Sequence, residues 1–100
     1  MLIETTASFP DSKKEVVSGV DMLVLLSILI LENYGEKIRL AAIEKVRWPY
    51  PLLKEEEALI KIEETGKRDF GGINLRFLNA EMIGVISKKV VMYGVFTIID

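Results

Sequence analysis

Chemistry in this chain has to be built from a reduced set of side chains. Its 100 residues include no cysteine and no histidine, which removes disulfides, thiolate nucleophiles and imidazole-based metal or proton-transfer sites together. General acid–base work is left to carboxylates, lysine, tyrosine or backbone N–H groups. Asp21 stands at the start of a long apolar run, where a helix N-terminus would place free N–H groups and a positive dipole end beside it. Ser8, beside Pro10, carries a hydroxyl but has no base to activate it. Lys13, Lys14, Lys88 and Lys89 form two cation pairs suited to phosphates. No cofactor and no metal are expected.

Each candidate has a plainer structural reading. Asp21 follows Ser18 at the spacing of a capping box, so a cap accounts for it as well as catalysis does. Ser8 reads equally as a turn residue and the lysine pairs as solvated surface. Asn33 and Tyr34 suit a helix end. Glu55-Glu56-Glu57 reads as an exposed, aggregation-resisting edge. Trp48 and Phe9 read as core aromatics rather than ligand stackers.

The elements that must position these residues are marked in the pattern. Val20 to Leu31 is almost wholly apolar, yet shorter than the roughly 20 residues a bilayer span requires and interrupted by Asp21. Ser18-Gly19-Val20-Asp21 supplies a start signal and Gly35 a stop, which predicts a helix from about Gly19 to Asn33. Its apolar residues cover all sides, which predicts burial all round. At about 100° per residue, Asp21 and Glu32 fall within roughly 20° of each other on one stripe with Leu25 and Ile28. Only the two ends of that stripe would need water.

The remainder predicts strands. Ile38, Leu40, Ala42, Val46 and Trp48 share one parity and Arg39, Lys45 and Arg47 the other, with Glu44 out of step and marking a bulge or open edge. Pro49 and Pro51 end that strand. A second runs through Ala58, Ile60 and Ile62 and is closed by Thr65 to Asp69. Ile73, Leu75 and Phe77 alternate in a third, and Met82–Ile86 and Val90–Ile99 flank a hairpin turn at Ser87-Lys88-Lys89. One hundred residues, half of them hydrophobic, make a single α+β domain, 1–100, with apolar surface to spare for a subunit interface. A net charge of −2 argues against a nucleic-acid partner. The first residues lack the pattern of a signal peptide, so no membrane partner and a cytoplasmic location are expected.

Three short motifs then acquire meaning together. Ser8-Phe9-Pro10-Asp11, Ser18-Gly19-Val20 and the run Arg47-Trp48-Pro49-Tyr50-Pro51-Leu52-Leu53-Lys54-Glu55-Glu56 resemble, in order, the His-Phe-Pro-Gly turn, the helix-starting Pro-Gly and the Arg-Phe-x-x-Pro-Val-x-Pro-Gly-Asp strand end of the hot-dog β-hydroxyacyl-acyl-carrier-protein dehydratases and their acyl-thioester relatives. The resemblance implies a hot-dog fold, a curved antiparallel sheet wrapped round one long buried helix. It implies an acyl-CoA or acyl-carrier thioester as ligand, bound near Ser8, Gly19, Val20 and Asp21, and a side-by-side homodimer with the site at the interface. Gly19 would let the thioester carbonyl come close to the helix N-terminus.

The departures bear on activity. The family's catalytic histidine falls on Ser8 and its catalytic Glu or Asp on Val24, about two extra residues lengthen the loop from Asp11 to Ser18, and the usual first strand is reduced to Leu2–Thr6 at most. Dehydration by the family's mechanism is therefore not expected of this chain alone. The expected function is an acyl-thioester-binding protein, as a divergent thioesterase or dehydratase-like enzyme with Asp21 as the nearest carboxylate. The alternative is a non-catalytic subunit that acts by dimerisation or beside a catalytic partner.

Overall fold

The computed structural model describes residues 2–10, 15–35 and 37–100. Within them the elements run β1 (Leu2–Ala7), α1 (Gly19–Tyr34), β2 (Arg39–Arg47), β3 (Ala58–Phe70), β4 (Ile73–Gly84) and β5 (Val90–Ile99). The strands pair antiparallel in one five-stranded sheet of order β1-β3-β4-β5-β2. The strands on either side of the helix thus occupy opposite edges, so the connection that contains α1 crosses one face of the sheet.

That face is built by alternation. Ala58, Ile60 and Ile62 of β3, Leu78, Ala80 and Met82 of β4, and Met92, Phe96 and Ile98 of β5 are buried, as the period-two pleat requires of a sheet packed on one side. Met22, Leu26 and Ile30 of α1 close the core from above. Burying a Leu or Ile side chain of this kind stabilises by about 2 kcal/mol relative to leaving it in water.

The helix is not buried all round, contrary to the expectation from its sequence. Met22, Leu26 and Ile30 are buried, whereas Val20, Val24, Ile28 and Leu31 are 65%, 50%, 45% and 39% exposed. The two sets are centred roughly 155° apart on the helix wheel. A five-stranded sheet covers one side of a helix, and among the described residues nothing covers the other. The apolar content of α1 thus reports two faces with different surroundings rather than one enclosing core.

The strands also differ in extent. The first strand is present as Leu2–Ala7, one residue longer than the Leu2–Thr6 expected at most, and pairs with β3 from Leu2–Glu63 to Ala7–Ala58. β3 does not close at Thr65–Asp69 but runs on to Phe70, and the reversal falls on Gly71 and Gly72 (φ 59° and 86°), two positive-φ residues suited to a tight hairpin turn. The segments from Ile73 and from Met82 are one strand, β4. The parity read at Ile73, Leu75 and Phe77 is opposite to that of buried Leu78, Ala80 and Met82, because the inward positions of the outer half of β4 carry Asn74 and Arg76 instead of apolar residues. β2 is irregular as expected near Glu44, with register shifts at Leu40/Ala42 and Glu44/Arg47 and Lys45 at φ 55°.

Candidate functional site

The N-terminus of α1 is shaped by its cap. Ser18 lies in extended conformation (φ −62°, ψ 137°), its hydroxyl accepts from the Val20 N–H at 3.2 Å, and its carbonyl accepts from Met22 N–H at 3.2 Å. The reciprocal half of a capping box is missing among the described residues, since Asp21 makes no bond back to the Ser18 N–H. An aspartate is one methylene shorter than the glutamate that normally reaches back. The Asp21 carboxylate is left exposed beside the first turn, where it complements the helix dipole. Among the described residues, the N–H groups of Gly19 and Asp21 meet no acceptor. The helix therefore presents at least two backbone donors and a positive dipole end at this place.

Gly19 is required by a neighbour rather than by an open approach. A Cβ built on Gly19 would lie 2.7 Å from Cε2 and 2.8 Å from Nε1 of Trp48. Trp48 is accordingly not a core residue, being 44% exposed, while Phe9 does pack against the core. Ser8 is exposed just past β1, at the same end of the sheet as Gly19, Val20 and Asp21, and no hydrogen bond joins it to them among the described residues. Val24, where the resemblance would place a carboxylate, lies on the exposed stripe of α1. Asp11, Lys13 and Lys14, and with them half of the loop from Asp11 to Ser18, lie outside the described residues.

The segment leading into α1 is tied to the loop before β3. Val17 N–H donates to Leu52 O at 2.9 Å and Lys54 N–H to Glu15 O at 2.8 Å. That loop delivers Glu56, which is 5% exposed and not part of an exposed acidic edge, although Glu55 and Glu57 on either side of it are exposed. Its Oε2 accepts from the N–H groups of Ile86 at 2.9 Å and Ser87 at 2.6 Å, in the turn between β4 and β5. An open cleft of about 490 Å³ lies there, lined by Glu15, Leu53, Lys54, Glu55, Glu56, Ile86 and Ser87; it does not include Ser8, Gly19, Val20 or Asp21. Lys88, at φ 60°, shapes this turn and donates its N–H to Gly84 O at 2.8 Å. Lys89 places its ammonium 4.4 Å from the centroid of Tyr50.

The opposite end of α1 carries a polar cluster that the sequence reading missed. Arg76 pairs with Asp100 at 2.8 Å and lies 3.8 Å from Glu64, and its guanidinium stands 5.8 Å from the centroid of the Tyr34 ring. The Tyr34 hydroxyl is shut from solvent, with Glu64 as the polar group facing it and no hydrogen bond of good geometry among the described residues. Its burial raises its pKa above the usual tyrosine value, the Glu64 charge raises it further, and Arg76 opposes both. A signal was available in the inward parity of Glu64 after Ile60 and Ile62, and of Arg76 before Leu78. Asn33 meanwhile donates to Leu29 O at 2.8 Å, and Gly35 (φ 99°) returns its N–H to Leu31 O, so both serve the helix end.

Comparison with solved structures decides the fold. The (R)-hydratase from A. caviae involved in PHA biosynthesis superposes with a TM-score of 0.80 at 12% identity, over 98% of this chain and 92% of that one. The chain has the hot-dog fold. A hexameric broad-specificity acyl-coenzyme A thioesterase shares the hot-dog architecture with a TM-score of 0.63 at 15% identity, over 100% of this chain and 78% of that one. An acyl-CoA hydrolase from Agrobacterium tumefaciens does so with a TM-score of 0.68 at 12% identity, over 97% of this chain but only 42% of its own length. No protein-family model and no curated protein sequence matches the chain. Among the described residues of this hot-dog domain there is no cluster of potential metal ligands, and no helix is long and apolar enough to cross a membrane.

Proposed function

We propose that this chain is an acyl-thioester-binding hot-dog protein that receives the thioester carbonyl at the N-terminus of α1. The observation that carries this reading is the first turn itself. It starts at a glycine, its Gly19 and Asp21 N–H groups meet no acceptor among the described residues, and Val20 and Asp21 border it. Oriented backbone donors and the dipole end of a helix stabilise charge that develops on a carbonyl oxygen without help from side chains. The hydratase and acyl-CoA hydrolases that share the fold support acyl-CoA or an acyl-carrier thioester as ligand. Ser8 lies at the same end of the sheet and borders the site. A homodimer is part of the proposal, supported by the exposed stripe Val20, Val24, Ile28 and Leu31 and by the edge position of β2, and a cytoplasmic location is proposed with it.

If the domain turns over its ligand, hydrolysis is the reaction its residues favour. Asp21 is the carboxylate nearest the helix start, exposed and free to hold a water. Ser8 and Val24, in the places of the histidine and the acid of the dehydratases, supply neither a base nor an acid. Those two substitutions favour a second reading, a non-catalytic hot-dog subunit acting by dimerisation or beside a catalytic partner.

The deciding experiment assays hydrolysis of acetyl-, octanoyl- and palmitoyl-CoA by the purified protein and by Asp21→Asn, with binding followed by calorimetry. Turnover that Asp21→Asn removes establishes a carboxylate-dependent thioesterase. Binding without turnover establishes the non-catalytic subunit. Absence of both rejects the acyl-thioester reading.

A further inference from the structure

The chain has a single tryptophan, and its place is set by irregular backbone on both sides. Before it, β2 slips register between Glu44 and Arg47, with Lys45 at φ 55°, and a slip of this kind re-aims the side chains that follow. After it, Pro49 and Pro51 stiffen the chain. The result is an indole laid against Gly19, with Cε2, Nε1 and Cδ2 at 2.7, 2.8 and 3.1 Å from the position a Cβ would take. In a helix the Cα–Cβ bond tilts toward the N-terminus. The space the indole fills therefore lies alongside the first turn, on the side of its free N–H groups.

The ring is held there by packing against Gly19, not by a hydrogen bond. Its Nε1–H has no acceptor among the described residues, although a tryptophan held in position usually finds one. The residue is 44% exposed, so part of the ring already meets water where it lies.

We propose that Trp48 is the gate of the thioester site. This inference rests on the reading of α1 given above. With the indole against Gly19, the approach to the helix N-terminus is occupied; with the indole turned outward, a thioester carbonyl reaches the N–H groups of Gly19 and Asp21. The ring then also sets selectivity, since a ligand binds only as far as its contacts outweigh the closed state. The measured affinity is reduced by the fraction of molecules with the gate open.

The test uses the full chain, with octanoyl-CoA as probe. Calorimetry compares the wild type with Trp48→Ala, and the emission of the single tryptophan is followed as the wild type is titrated. Removing the ring should tighten binding about tenfold, the change expected if the gate is open in about one molecule in ten. Ligand should shift the wild-type emission to the red as the indole enters water. Gly19→Ala, whose methyl group would collide with the ring, should give that shift without ligand, which keeps the test open if Trp48→Ala fails to fold. Equal affinity of the two proteins with unchanged emission overturns the gate and leaves the binding reading standing. Weaker binding by Trp48→Ala also overturns it, by making the indole a ligand contact. If octanoyl-CoA binds neither protein, the thioester reading fails and the gate fails with it.

Discussion

Glu56 holds Ser87 across the fold: the carboxylate delivered by the loop before β3 accepts the Ser87 N–H at 2.6 Å and, through the same oxygen, the Ile86 N–H at 2.9 Å. The buried acid thereby closes a turn whose own backbone cannot satisfy those two donors. Gly84 completes the arrangement, because a Cβ there would meet Ser87 Oγ and lie 2.8 Å from Glu56 Oε2.

Glu56→Ala should accordingly cost about 1–3 kcal/mol, the loss of two part-buried hydrogen bonds to a charged acceptor. Glu56→Gln, which retains an acceptor oxygen, should cost about half as much. Urea unfolding at neutral pH measures both. Equal stability of Glu56→Ala and the wild type would show that the turn closes without the carboxylate.

The two faces of α1 should respond differently to the same substitution. Leu26→Asp or Ile30→Asp places a charge where the side chain is fully buried and should abolish soluble expression. Val24→Asp or Ile28→Asp falls on the exposed stripe and should leave a folded chain that no longer self-associates. Sedimentation of the soluble variants checks this. A Val24→Asp protein that remains a dimer would remove the stripe from the interface.

The cap and the candidate catalyst at the start of α1 are separable. Ser18→Ala removes the side chain that accepts the Val20 N–H and should cost about 1 kcal/mol. Asp21→Asn removes only a charge near the dipole and should cost about 0.3–1 kcal/mol. Loss of activity in Asp21→Asn with a nearly unchanged melting temperature would assign Asp21 to chemistry.

Tyr34 gives the domain an alkaline limit. Its folded-state pKa lies above the unfolded value of 10.0, raised first by burial and then by Glu64, so the folded state holds the phenolic proton more tightly. This contribution is fully present below pH 10 and is lost as the pH rises through the higher folded value. Tyr34→Phe should abolish that alkaline loss. At pH 7 it should change stability by no more than about 1 kcal/mol, because the buried hydroxyl makes no hydrogen bond of good geometry among the described residues whose loss would cost more. Unfolding curves at pH 7 and above pH 10 test both statements.

The legible parts of the sequence were those where pattern and chemistry agree. The limits of α1 could be read because Ser18 and Gly35 act locally, and the fold because three motifs and an apolar helix occur in one order. The exposed stripe of α1 was hidden, since a valine facing a solvent gap in one chain is spelled like a valine in a core. The outer half of the β3–β4 hairpin was misread because Glu64 and Arg76 occupy inward positions and break the alternation. At the candidate site, Gly19, Val20 and Asp21 follow from the helix start, but the contact between Gly19 and Trp48 joins residues far apart in the chain. The role of Glu56 was disguised by the two exposed glutamates beside it.

The order of strands in the sheet has a consequence for how the molecule comes into being. β1, α1 and β2 all leave the ribosome before β3, β4 and β5, yet β1 pairs only with β3, and β2 only with β5. The amino-terminal half therefore waits as an unpaired chain bearing an apolar helix until the carboxy-terminal half has been made. The long β3–β4 hairpin, closed by adjacent residues at Gly71-Gly72, is the natural first unit to form, and the older half of the polypeptide then assembles onto the younger.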